Sequence, residues 1–170
     1  MVRVTLRPVV ELDLMIFERE FYSLEGRGHL QWFGHRSPHM ERRIFAETGY
    51  LGDDGGMLTV CSDDEVAGRV QWFKNSWGPP ATSWCWTISI LVRPAHQGNG
   101  VGTEAQRQLV AYLFEHTQAH RIQASTDIDN QAEQRALEKA GFRREGVLRE
   151  AQWRGGRWHD QVLYSLLRTD

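Results

Sequence analysis

The chain has 170 residues, about one domain's worth, and is 41% hydrophobic and 25% charged, an ordinary globular composition that is too apolar for a disordered one. Twenty Lys and Arg against 22 Asp and Glu leave a formal charge of -2, so no global positive field exists to draw in nucleic acid or an anionic membrane surface. No uncharged apolar run approaches the roughly 20 residues that span a bilayer, and residues 1–8 lack a leader's apolar core. Cys61 and Cys85 lie in separate apolar stretches, a poor basis for a disulfide framework. The expectation is a cytoplasmic protein, monomer or homodimer, with two reduced, packed thiols.

Val2, Val4 and Leu6 alternate with polar residues as a half-buried strand does, and Pro8 stops the ladder. Leu14, Phe17, Phe21 and Leu24 recur at helical spacing, which predicts one helix from about Asp13 to Glu25 ended by Gly26. Residues 27–56 are the least regular part, with a helical pattern from Pro38 to Glu47. Met57 to Phe73 reads as a hairpin around Asp63-Asp64-Glu65, and Pro79-Pro80 precede the longest strand candidate, Ser83 to Val92. Val101, Ala105, Leu109, Tyr112 and Leu113 share one helical face, Arg121 to Ile128 reads as a strand, and Asn130 to Ala140 as a short helix. Gly141 stands where a left-handed helix terminator belongs, with Phe142 placed to fold back. Two last strands, about Val147 to Trp153 and His159 to Leu167, flank Gly155-Gly156, a dipeptide suited to a tight turn. Most of the seven Trp residues, including Trp32, Trp153 and Trp158, are expected to serve core packing. The mixture predicts an α/β (α+β) fold over residues 1–170, a single domain with one mixed sheet layered by helices.

The most informative segment runs from Ile90 through Arg93-Pro94-Ala95-His96-Gln97-Gly98-Asn99-Gly100-Val101-Gly102-Thr103, a buried strand entering a helix through glycines. Helix N-termini offer unpaired N–H groups and the positive end of the macrodipole, and the missing side chains at Gly98, Gly100 and Gly102 let a pyrophosphate come close. Alternate glycines also serve helix packing alone. A P-loop needs Lys after its glycines, and here Thr103 and Glu104 follow Gly102; a dinucleotide fingerprint needs its third glycine one residue later.

Gln97, Gly100 and Gly102 match the Gln/Arg-x-x-Gly-x-Gly/Ala signature of the GNAT acetyltransferase superfamily, which this sequence resembles. The likeness continues in Asn130-Gln131-Ala132-Glu133, Glu138-Lys139-Ala140-Gly141-Phe142, Glu145-Gly146-Val147-Leu148-Arg149 and Gly156-Arg157-Trp158-His159-Asp160, a succession similar to the Rim-type ribosomal protein N-acetyltransferases. The resemblance implies a mostly antiparallel sheet whose central strands splay to receive acetyl-CoA as cosubstrate. Ile90, Leu91 and Val92 would hold the acetyl and pantetheine arm, Gln97, Gly98, Asn99, Gly100, Val101, Gly102 and Thr103 the pyrophosphate, and Asn130 the pantetheine. It further implies direct transfer to a primary amine, either a small molecule or a protein N-terminus, without metal.

Within that reading the Val92 N–H is the candidate to stabilise charge on the thioester oxygen, and Glu133 and Asp127 are the candidate acid–base groups. Each also has a bland reading. Asn130 suits a helix N-cap, Glu133 three residues later suits the reciprocal capping-box partner, and acidic residues such as Asp127 and Asp129 are common at a helix entry. Many superfamily members carry a Tyr donor where Leu137 stands, and Rim-type members a Ser where Glu133 stands. The loss of both keeps a second reading open, an acyl-CoA-binding sensor or assembly protein of the same fold. His116 and His120 are spaced for a shared metal, but no third ligand is evident, and none is expected.

Overall fold

The computed structural model describes residues 2–170, and its first strand, β1 (Val4–Pro8), follows the alternation of its sequence. Two helices follow where the spacing predicts one. In α1 (Glu11–Phe21) Asp13 accepts the Val10 N–H at 2.9 Å. The chain then breaks at Tyr22 and Ser23, because Ser23 Oγ accepts the Gly26 N–H at 3.1 Å and opens a separate turn, α2 (Leu24–Arg27), that contains Gly26 instead of ending before it. After a non-helical stretch, α3 (His39–Thr48) ends at Gly49 in the left-handed region.

Short β2 (Leu51–Gly52) leads into β3 (Gly55–Ser62) and β4 (Glu65–Ser76), the predicted hairpin. Its turn residues Asp63 and Asp64 have φ of 47° and 68°, the paired left-handed conformations of a type I′ turn. Next come β5 (Trp84–Val92), α4 (Val101–His116), β6 (Arg121–Asp127) and α5 (Gln131–Lys139). The end of α5 is a Schellman motif: the Gly141 N–H donates to Glu138 O at 3.1 Å and the Phe142 N–H to Leu137 O at 3.0 Å, with Phe142 buried. The final hairpin, β7 (Arg143–Arg154) and β8 (Arg157–Leu167), turns at Gly155-Gly156 and outruns the alternation of its sequence. A bulge between Leu148 and Gln152 conceals the continuity, and there Glu150 adopts φ 49° while its N–H donates to Asp160 Oδ1 at 2.8 Å.

The strands form one sheet in the order β1-β3-β4-β5-β6-β8-β7, with β2 added beside β3, and every pairing is antiparallel except β5 with β6. Alternate side chains feed two cores. Leu58, Val60, Ile90 and Val92 face the layer of α4 and α5, while Met57 and Leu91 face α1 through Phe17 and Phe21. On the α1 face the buried Arg69 lies over the rings of Phe17 and Phe21 at 5.4 and 5.5 Å and donates to Glu41 of α3 at 2.9 Å, tying α3 to the sheet. Trp72 and Trp86 are core residues, as expected. Trp153 and Trp158 are not, since each is 55% exposed, and they meet edge to face at 5.3 Å. Cys61 and Cys85 are buried and unpaired, and among the described residues no helix is long and apolar enough to cross a membrane.

Candidate active site

The site begins where a sheet ladder fails. β5 and β6 pair only at Trp86 with Ile122 and Thr87 with Gln123. A side-chain clamp closes that end: Trp77 Nε1 donates to Gln123 Oε1 at 3.0 Å, and Gln123 Nε2 donates to Thr87 Oγ1 at 3.0 Å. Beyond Thr87 the strands diverge, and β6 continues along β8 only. The Arg93 N–H donates to Ala67 O, so by strand alternation Leu91 turns its backbone toward β4 as well. Ile90 and Val92 point theirs the opposite way, into the opening. Of the three strand residues expected to hold the acyl arm, Ile90 and Val92 turn their amides to the opening, while the Leu91 amide faces β4.

At the open end of the V the chain turns into α4. The Gln97 side chain donates to Val92 O at 2.9 Å, so it braces the loop against the strand. Gly98 and Gly100 have φ of 79° and 81°, and a Cβ built on either meets nothing within 4 Å. Their glycines are required by backbone conformation and leave open space above the helix start. Gly102 has no such φ; a Cβ there would touch Val92 and Ile90 at an ordinary 3.8 to 3.9 Å. Gly100 is the N-cap of α4 without a side-chain bond, and among the described residues the amides of residues 98–103 find no acceptor outside the helix ladder. This is an anion cradle built of backbone.

A cavity of about 220 Å³ fills the V, lined in part by Ile90, Leu91, Gln106, Asp127, Asn130 and Glu133. Residues 97–103 lie outside that lining. Asn130 is the N-cap of α5, accepting the Glu133 N–H at 3.2 Å, yet the reciprocal half of the capping box is missing. The Asn130 N–H donates to Asp127 O at 2.9 Å. Glu133's carboxyl, freed from the cap, lines the cavity, where burial pushes its pKa up to about 7 and the Gln106 amide offsets only part of that. Gln106, 1% exposed, has its Nε2 without a partner of good geometry.

Asp127 behaves in the opposite way. Burial alone would raise its pKa, but the Asp129 N–H at 2.8 Å, Arg154 at 2.7 Å and His159 hold it below the usual carboxylate range. Arg154 also donates to Gln152 Oε1 and contacts His159 Nδ1 at 3.1 Å, while His159 Nε2 reaches Arg154 O. Placing the imidazole proton on Nε2 satisfies both of these contacts. Asp127 thus anchors the β7–β8 hairpin and is poorly placed to accept a proton. Leu137, where the resemblance implies a Tyr in many relatives, is fully buried in the core.

Beside the V lies a second cavity of about 570 Å³, sharing Leu30 and Phe33 with the first. Its walls come from residues 24–34, from Asp129 and from the tip of the β7–β8 hairpin, including Trp153 and Arg157. Reasoning from sequence missed Gln106, and it pointed to the Trp32 segment and the Trp153–Trp158 hairpin as the walls of an acceptor site without being able to place them. Gln106 carried a signal, as the one polar residue in the i, i+4 stripe Gly102, Gln106, Val110 on a helix that buries that side. Among the described residues no group of three or more His, Cys, Asp or Glu is placed to hold a metal.

A splayed β5/β6 pair with unpaired amides at the following helix start leaves a slot ending at an anion-binding helix terminus. Residues 3–143 match the family model for the acetyltransferase (GNAT) domain. The chain is 32% identical over 164 residues to the "Probable N-acetyltransferase YjcK" of Bacillus subtilis, covering 96% of this chain and 83% of that one. It is 34% identical over 126 residues to the "Putative ribosomal N-acetyltransferase YdaF" of the same organism, covering 73% and 60%. Among solved structures, spermidine N-acetyltransferase from Vibrio cholerae with CoA and spermine aligns with a TM-score of 0.82 at 19% identity over 98% of this chain and 96% of that one. RimJ from Mycobacterium smegmatis with CoA-disulfide aligns at 0.79 and 21% over 99% and 86%. The chain belongs to the GNAT acetyltransferase family and is an N-acetyltransferase.

Proposed function

We propose that the protein transfers an acetyl group from acetyl-CoA directly to a primary amine within a ternary complex. The observation that carries this reading is the open edge of β5 at the Ile90 backbone and the Val92 N–H, with the free amides of α4 at its open end and the Glu133 carboxyl in the cavity it borders. The residues fit the cosubstrate: residues 98–103 suit a pyrophosphate, and the free edge of β5 suits an amide-bearing arm laid along it. When bound there, acetyl-CoA supplies an activated acyl thioester.

The rest falls to this chain's own groups. A lysine-like amine, with an ordinary pKa of about 10.4, is mostly protonated at neutral pH, so a base must accept its proton. Glu133, with a pKa of about 7, is matched to that task near neutrality. The buried Gln106 amide lines the same cavity and lowers the carboxyl's pKa only in part. The Val92 N–H, already fixed by the sheet, faces the opening and is the candidate donor to charge growing on the thioester oxygen, an effect worth roughly 3 kcal/mol per donor. Asp127 acts only by fixing Arg154 and the hairpin. Buried Cys61 and Cys85 offer no accessible nucleophile for an acyl-enzyme, and their reduced state fits a cytoplasmic site of action.

Initial velocities with acetyl-CoA and an amine varied together test the reading, with thiol release as the signal. Intersecting lines are expected. Parallel lines, or an acetylated protein trapped without amine, would overturn direct transfer.

A further inference from the structure

We infer that the acceptor seated in the 570 Å³ cavity is a compact monoamine with an aromatic or branched apolar body, in preference to a polyamine or an extended peptide. The inference rests on the transfer reading above and names its second substrate.

The volume lies in the range of about 300 to 1,000 Å³ that encloses small ligands. Leu30, Trp32, Phe33 and Trp153 give it apolar walls. Trp153 and Trp158 meet edge to face at the hairpin tip, exposing indole surface that core packing does not use, a face suited to an aromatic or branched body.

Charge narrows the class. Asp129 is the one carboxylate in the lining, and among the described residues neither it nor Arg157 has a side-chain partner. Asp129 can meet the incoming amine as an ammonium before its nitrogen reaches Glu133 in the adjoining cavity. With one amine at Glu133, the two further cationic groups of a triamine would find a single unpaired carboxylate, Asp129, and an unpaired Arg157, which costs binding through like-charge repulsion. An extended peptide would need several groups to pair with its backbone, yet two of the lining's polar side chains, Arg154 and His159, are already spent on Asp127, Gln152 and each other.

The test compares phenethylamine, spermidine and a tripeptide with a free N-terminus, reading thiol release for turnover and calorimetry in the presence of CoA for binding. Phenethylamine should show a kcat/KM roughly tenfold or more above either competitor. Trp153→Ala should raise its KM roughly tenfold with kcat retained, and Arg157→Glu should shift the spermidine to phenethylamine ratio of kcat/KM roughly tenfold toward spermidine. Better turnover of spermidine or the tripeptide by the unaltered protein, or no calorimetric binding of phenethylamine, would overturn the inference. If phenethylamine binds while no amine releases thiol from acetyl-CoA, the acceptor class stands and the transfer reading fails.

Discussion

Glu133 has two partners to choose between, the α5 cap and the V, and its backbone takes the first while its carboxyl takes the second. A carboxyl whose folded pKa is raised binds its proton more tightly folded than unfolded. Stability therefore falls as pH rises from near the ordinary glutamate value of 4.5 to about 7. Glu133→Gln removes that dependence, so its melting temperature should gain on the unaltered protein between pH 5 and pH 8. A variant that loses ground over that window would return the carboxylate to a capping role. Turnover reads the same group: log kcat/KM should rise with pH up to about 7, and Glu133→Gln should lower turnover roughly a hundredfold. The sequence showed Glu133's spacing from Asn130, which suits a capping box, but not that the Asn130 N–H is taken by Asp127 O, a tertiary outcome of how β6 enters α5.

Asp127 and Arg154 are 2% and 5% exposed, 27 residues apart and paired at 2.7 Å. Removing one partner of such a pair leaves a buried charge, so Asp127→Asn should cost about 3–5 kcal/mol in urea unfolding. Its lowered pKa contributes stability that is present above the ordinary carboxylate value and lost as pH falls through the folded one. A loss under about 1 kcal/mol would contradict the anchoring role.

At the level of elements, the strand, glycine loop and helix from Ile90 to Thr103 were legible because each signal is local: a strand pattern, then glycines, then 3.6-residue spacing. The break between α1 and α2 was not, since Leu24 keeps the helical spacing and only the Ser23 hydrogen bond interrupts it. The cradle itself can be tested without disturbing the fold. Asn and Asp both tolerate a left-handed φ, and nothing stands near a Cβ at Gly98. Gly98→Asp should weaken acetyl-CoA binding roughly tenfold relative to Gly98→Asn at matched melting temperature, because only the first sets a negative charge beside the pyrophosphate. Equal affinities in calorimetry would remove the loop from the site.

Across the whole molecule, the mixed sheet and its flanking helices followed from the order of elements, whereas the larger cavity did not. Its walls join residues near 30 to residues near 155, and no local pattern reports a pairing across that distance. Trp153 and Trp158 fall beside the Gly155-Gly156 turn in sequence, where nothing reports which side of a hairpin tip will be wet, so the expectation that core packing explains most Trp residues does not hold for them. The V, the cradle and the cavity together make one claim about where the cosubstrate lies. A crystal structure with CoA bound tests it most directly. The account predicts the pyrophosphate on the amides of residues 98–103 and the thiol end between β5 and β6 beside Val92. CoA bound elsewhere, with β5 and β6 closed over an empty V, would contradict it.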